Sequence, residues 1–589
     1  MKKYVWLVCL MCCIGMVAQA GNYRKREVTN PCFVTANTSK IEIKRIILTD
    51  EQTQVDAVLY GKPGELAVIS SNTCLRNGGQ EFVLREANVS IDGKTVPERI
   101  PDSGKMDIIL SFEPIPQGVH AVDFVEKDED WIIYGVQLTG VEPYVYVPSF
   151  LQTRPLEKSR SLLSPQLKVG KSIINGYILG YHPGMNLDVV FRHSDWLFDD
   201  EWGQTVRVRQ DGSFHIETDL LLAGGARLQI NKAQLDLFLM PGEETTVYIH
   251  LPKLSMSASR LLKDKYGRVQ KAWFDGGAAV LNAELATWGH PLAMDGDPSF
   301  KDLTSGLSGE DYANYVKRQY AECEKALQHD EKVGEAYRQY VSLNQKMNEL
   351  VTLGAKGEMP GIVKSPYFRY GYDYTTYLEY MERDKGQTVD LWDDVKKART
   401  VYEHFVKERK FSSDDKKLMK SISQPEILKY IKTKTKTLEE KALLAESSET
   451  YVVAELDESV SGADILPAII APYKGQAVLV DFWATWCGPC RKSMSAIRGL
   501  KKKLEPKDVV YIYLTGPSSP ETDWKTAITD INGVHYRLTK AQWEYLCKTY
   551  GITGIPGYLV ISYDGKLQDK YVGFPGTDVL MKDLLRAGE

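Results

Sequence analysis

The chain has 589 residues, 43% of them hydrophobic and 26% charged, with a formal net charge of −5. That is the composition of a folded protein with room for about three or four domains, and it lacks the basic excess of a nucleic-acid footprint, so no nucleic-acid partner is expected. Nine cysteines in so long a chain are too few for a disulfide framework, and the fold must rest on its apolar cores.

Lys2 and Lys3 precede an apolar run over residues 4–17 that ends in Ala18, Gln19 and Ala20, the small-residue pattern at which a secretory leader is cut. Residues 1–20 are therefore expected to be a signal peptide, and the mature chain, starting at Gly21, to be exported and periplasmic. The run is too short to span a bilayer, and no later stretch reaches the length required. Cys12 and Cys13 raise a lipoprotein alternative, against which stand the large residues before them. Cys32, Cys74, Cys323, Cys487, Cys490 and Cys547 remain after the leader. Cys32 and Cys74 share the N-terminal segment, and both a disulfide between them and two separately buried thiols are open.

From Ile41 onward, short alternating runs separated by Gly- and Asn-containing turns predict a β-sandwich domain over residues 21–165. A second alternating series, from Gly176 to Ile249, predicts a small β domain over 166–255. His182, His193 and His215 fall in it, but their irregular spacing without paired carboxylates or thiols argues against a metal site. Helical periodicity then takes over, and a mainly α-helical domain is expected over 256–444. Ser308 and Asp311 form a capping signal there, and Tyr312, Val316, Tyr320, Cys323 and Leu327 share one face, which makes Cys323 a buried, inert thiol. Tyr367, Phe368, Tyr370, Tyr372, Tyr374, Tyr377 and Tyr380 form an aromatic cluster that reads as inter-helix packing, with a peptide- or sugar-binding platform as the alternative. The Lys/Glu-rich stretch over 432–440 reads as a solvated helix face, and Glu446 to Thr450 as a hinge.

The last domain, over 455–589, offers a strand ending at Trp483, helices over 489–504, 524–531 and 540–550, a strand over 509–514, a hairpin over 558–574 and a closing helix. Strands alternating with helices, then a hairpin, predict a mixed α/β sheet covered by helices. Cys547 lies on a face with Trp543, Leu546 and Tyr550 and is expected in the core. The chemistry sits where the buried run Val478 to Trp483 meets Cys487, Gly488, Pro489 and Cys490. Cysteines at this spacing can close a disulfide, and the first falls at a helix N-terminus, where orphan N–H groups and the helix dipole favour a thiolate. Cys487 is thus the expected nucleophile and Cys490 the resolving thiol. A structural zinc site would need a second ligand pair, and haem attachment would need histidine where Arg491 stands, so neither metal nor cofactor is expected.

This stretch resembles the active site of thioredoxin, and more closely that of the exported TlpA/ResA-like disulfide reductases. Asp481, Trp483, Trp486, Gly488 and Pro489 each match that pattern. The resemblance implies a C-terminal thioredoxin-like domain in which Asp481 handles the resolving cysteine's proton, a role that suits a desolvated carboxyl of raised pKa. It also implies that Gly554, Ile555 and Pro556 form a cis-proline loop opposite the dithiol, exposing the Ile555 backbone to a substrate polypeptide. Trp486, Gly488, Pro489, Ile555 and Pro556 are then the substrate-binding residues. Two departures stand out: Ser495 replaces the usual kinking proline, and no lysine partner for Asp481 is evident in the strand over 509–514. The implied activity is that of an exported thiol:disulfide oxidoreductase acting as a reductase on protein disulfides, recharged by a membrane-embedded electron donor. The alternative is a binding or assembly protein whose N-terminal domains hold a partner, the dithiol being secondary. The sequence leaves the oligomeric state open.

Overall fold

The computed structural model describes residues 25–588 apart from 95–97, 128–130, 196, 199, 290–306, 355–365, 372–373, 375–376, 380–381, 383–389, 409, 447–450, 505–508 and 529–530. The expected leader, Tyr372, Tyr380 and the hinge over 447–450 lie outside the described residues.

The N-terminal module is built on an antiparallel sheet of nine strands, running in space from Arg26–Thr29 through Ile41–Leu48, Thr53–Tyr60 and Lys105–Phe112 to Trp131–Gln137 and the short Thr35–Ala36, with a separate parallel pair of Val68–Ile69 and Ser90–Ile91. Alternation turns Ile41, Val55, Leu110, Phe112 and Phe124 into one core. Cys32 and Cys74 are free and buried. The Cys32 sulfur lies 3.3 Å from the Tyr266 hydroxyl, while Cys74 faces Val83 and Val125 across its neighbouring strands. The open question is thus answered by two separate thiols.

The second module packs two four-stranded sheets around Ile174, Phe191, Leu228, Val247 and Ile249. Its sheet does not end at 255: the strand Ala272–Asp275 pairs with Glu244–His250, so the boundary moves past Asp275. The helix Leu251–Ser257 interrupts the alternation and gives the appearance of a domain end. His193 is buried with Nε2 3.0 Å from Thr218 Oγ1, and burial lowers its pKa to about 4. His215 bonds Asn175 at the surface and His182 accepts from the Gly184 amide. Among the described residues no three metal-ligating side chains come together.

The helices Gly309–His329, Glu335–Gly354, Asp390–Glu408, Ser413–Lys420 and Pro425–Glu446 make up the next layer. Phe368, Tyr370, Tyr374 and Tyr377 are buried in its core with Tyr337 and Tyr340, and Tyr367 packs against them. Cys323 is partly buried beside Tyr312, Val316 and Tyr320. Helix Pro425–Glu446 fastens this layer to the second module: Tyr430 donates to Asp195 Oδ2 at 2.7 Å, and Lys434 Nζ lies 3.2 Å from the same oxygen. The same helix packs against Glu521–Ala527 of the C-terminal domain.

In the C-terminal domain we number the strands β1 (Tyr451–Ala454), β2 (Ala477–Trp483), β3 (Val509–Thr515), β4 (Gly533–Arg537), β5 (Gly557–Ile561) and β6 (Leu567–Val572). The helices are α1 (Ile465–Ile470), α2 (Gly488–Leu504), α3 (Glu521–Ala527), α4 (Lys540–Tyr550) and α5 (Thr577–Ala587). The sheet order is β1-β4-β3-β2-β5-β6, parallel through β2 and antiparallel beyond it. The short strands β1 and β4 escape the sequence reading, and the helix expected over 524–531 is Glu521–Ala527.

The side chains of Asp195 and Lys434 are each 6% exposed, so removing one leaves the other charged and buried. Lys434→Met is expected to lower the urea stability of the full chain by about 3 kcal/mol. Adding Asp195→Asn should restore most of it; additive losses would show that the pair does not hold this seam.

Candidate active site

Strand β2 is buried along its whole length, hydrogen-bonded to β3 on one side and β5 on the other. Its end is therefore held rigidly where the chain turns into α2. The turn is tied by the Cys487 amide to the Ala484 carbonyl at 3.0 Å, by the Thr485 amide to Ser519 Oγ at 3.0 Å and by Arg491 to the Thr485 carbonyl at 2.8 Å. Gly488 and Pro489 open the helix, so Cys487 sits at its N-terminus and Cys490 in its first turn. The two cysteines are joined as a disulfide with Cα atoms 5.3 Å apart, and the Cys490 amide donates to Cys487 Sγ at 3.1 Å. An amide aimed at that sulfur stabilises negative charge on it once the bond is reduced.

Cys487 is 3% exposed and Cys490 fully buried, whereas Trp486 is 64% exposed. Gly488 and Pro489 are exposed beside it, and no atom lies within 4 Å of where a Gly488 side chain would begin. Trp486, Gly488 and Pro489 thus form an exposed rim beside the nearly buried first sulfur. Ile555 packs against the cluster of Trp483, Cys487, Cys490, Met494, Tyr513 and Trp524, and the Ile555–Pro556 bond is cis. The fold thereby gathers residues from β2, α2 and the segment before β5 around one pair of sulfurs.

Asp481 is 1% exposed, and neither carboxylate oxygen has a hydrogen-bond partner among the described residues. It is flanked in register by Tyr513 on β3 and Tyr558 on β5. Burial raises its pKa well above the ordinary carboxyl value, and Lys501 pulls it back in part. The strand over 509–514 indeed carries no lysine, and the cation that acts on Asp481 comes from elsewhere. It arrives from α2, near the helix's C-terminal end. Its Nζ lies 4.5 Å from the Tyr511 ring centre and 4.9 Å from that of Tyr513, and it bonds the Asn532 carbonyl. Burial lowers its pKa to about 7. His535 stacks on Tyr513 at 4.8 Å and is kept neutral by burial, with a pKa of about 4. Tyr513 and Tyr558 lie on strands whose register, not composition, brings them beside Asp481, and His535 stands beyond Tyr513 on β4. Helix α2 runs through Ser495 without a break. Cys547 packs on the opposite side of the sheet with Leu546 and Ile552, and burial raises its thiol pKa to about 11.

The raised pKa of Asp481 carries a definite sign. Well below pH 4 the folded and unfolded chains both hold the proton; above that the unfolded carboxyl ionises while the buried one does not, so stability falls as pH rises towards the folded pKa. Asp481→Asn removes this loss. Its advantage over the parent in urea midpoint is expected to widen between pH 4 and pH 8, and a constant difference would contradict a neutral buried carboxyl.

The Redoxin family model matches residues 468–584. The thiol-disulfide oxidoreductase ResA of Bacillus thuringiensis subsp. konkukian is 30% identical over 139 residues, 23% of this chain and 74% of the relative. ResA of Bacillus anthracis is 27% identical over 136 residues, covering 23% and 72%. Among solved structures, a thioredoxin-family thiol:disulfide interchange protein of Chlorobium tepidum matches 20% of this chain and 85% of its own at 24% identity, with a TM-score of 0.18. Through its C-terminal domain, the chain belongs to the ResA-like family of thiol-disulfide oxidoreductases.

Proposed function

We propose that the chain is an exported reductase of protein disulfides working through Cys487 and Cys490. The observation that carries this reading is the sulfur at the head of α2 with the Cys490 amide 3.1 Å from it. The reduced Cys487 thiolate attacks a substrate disulfide and expels one substrate thiolate, leaving a mixed disulfide. Cys490, deprotonated, then attacks Cys487 Sγ, releasing the second substrate thiolate and closing the Cys487–Cys490 bond. Asp481 moves the proton. In the oxidised protein it is held neutral by burial; it gives its proton to Cys490 when the dithiol is regenerated, and as a carboxylate takes it back when Cys490 resolves.

Trp486, Gly488, Pro489, Ile555 and Pro556 form the surface on which the substrate polypeptide lies. Electrons come from a membrane-embedded donor, since an exported reductase works in an oxidising compartment. Residues 1–20 direct the export; among the described residues no helix is long and apolar enough to cross a membrane.

Cys490→Ser is expected to accumulate a covalent complex with its substrates in exporting cells, visible as high-mass species that collapse with reductant. The Cys487→Ser chain should form none, and equal behaviour of the two would remove the enzyme reading. Iodoacetamide titration of the reduced full chain should place the Cys487 pKa at about 7 rather than about 8.5; an ordinary value would deny the helix its role.

A further inference from the structure

The mechanism leaves one buried hydrogen-bond chain unused. Tyr558, on β5 just past the cis Ile555–Pro556 bond, donates its hydroxyl to Ser493 Oγ at 2.7 Å, and Ser493 donates to the Cys490 carbonyl at 2.9 Å. All three residues are buried, so no water competes for these groups. A serine bonding back to the carbonyl one turn earlier is a common local habit. Here the same oxygen is also held by a hydroxyl from 65 residues away, and in a dry chain of this kind each bond polarises the next. The tyrosine is itself fixed: it lies opposite Asp481 in the sheet, and Phe574 packs on its ring at 6.0 Å and 60°. The strand after the proline segment therefore reaches through Ser493 to the backbone of the resolving cysteine.

We propose that Tyr558 and Ser493 are a positioning pair that fixes Cys490 in the first turn of α2 and thereby sets how readily it closes the disulfide with Cys487. The inference rests on the dithiol reading above and adds to it the residues that tune its closure. Ring closure between two thiols depends on how often they meet in the right geometry. A Cys490 backbone pinned from outside the helix meets Cys487 more often than one held by the helix ladder alone. Losing the tether shifts the balance from disulfide towards dithiol.

The test equilibrates the full chain with glutathione: the Cys487–Cys490 disulfide takes two electrons and two protons from two glutathione thiols, giving the dithiol and oxidised glutathione. Tyr558→Phe and Ser493→Ala are each expected to favour the dithiol about tenfold, about 30 mV for this two-electron couple. The double variant should go no further than either single one, and Ser493→Thr, which keeps the hydroxyl, should stay near the parent. A folded Ser493→Ala chain with an unshifted equilibrium overturns the proposal, as do fully additive effects; Ser493→Ala decides the matter if Tyr558→Phe does not fold. The equilibrium is measurable whether or not Cys490→Ser captures substrates, so failure of the pair and failure of the reductase reading give different results.

Discussion

A strand with no exposed residue ends against the open first turn of a helix, and what the C-terminal domain can do with sulfur depends on that junction. Hydrogen bonds to neighbours on both sides leave β2 no freedom to shift. The amide groups at the head of α2 have no carbonyl one turn back to bond, and one of them points at Cys487 Sγ. A sulfur on a mobile loop would feel neither constraint. Its thiolate would be less stable, and its partner three residues on would meet it less often.

The interior behind the dithiol is arranged around opposed costs. Asp481 is buried with no hydrogen-bond partner among the described residues, which favours its neutral form, while Lys501 nearby is stripped of part of its water and favours giving up its proton. Each charge would relieve the other in part. The rings of Tyr511 and Tyr513 beneath the ammonium shield it from solvent and partly replace that water. Tyr513 and Tyr558 on either side of Asp481 keep the site dry. A neutral acid in a dry pocket can donate a proton at a pH where an exposed aspartate is already ionised.

The rest of the chain is joined to this domain by more than a linker. Helix Pro425–Glu446 is bolted at Asp195 to the second β module and lies against α3, whose Trp524 packs in the same cluster as the two cysteines. The N-terminal modules therefore meet the catalytic domain along a helix that shares a packing surface with the wall of its site.

What could be read locally was carried by short-range physics. Period-two alternation marks strands whatever they pair with, and a Gly-Pro step between two cysteines after an apolar run marks a sulfur at a helix head. The strands β1 and β4 gave no such signal, since one is a four-residue edge and the other a five-residue segment wedged between helices. The end of the second module was hidden because a helix interrupts the alternation before its last strand. Lys501 gave no local sign of its place, because solvation and burial of a helical lysine differ only in what the helix is packed against. So residue type and spacing along the chain determined the dithiol and the acid behind it, whereas their companions Lys501, Tyr513, Tyr558 and Ser493 were decided by strand register and helix docking, contacts between distant segments that no local pattern encodes.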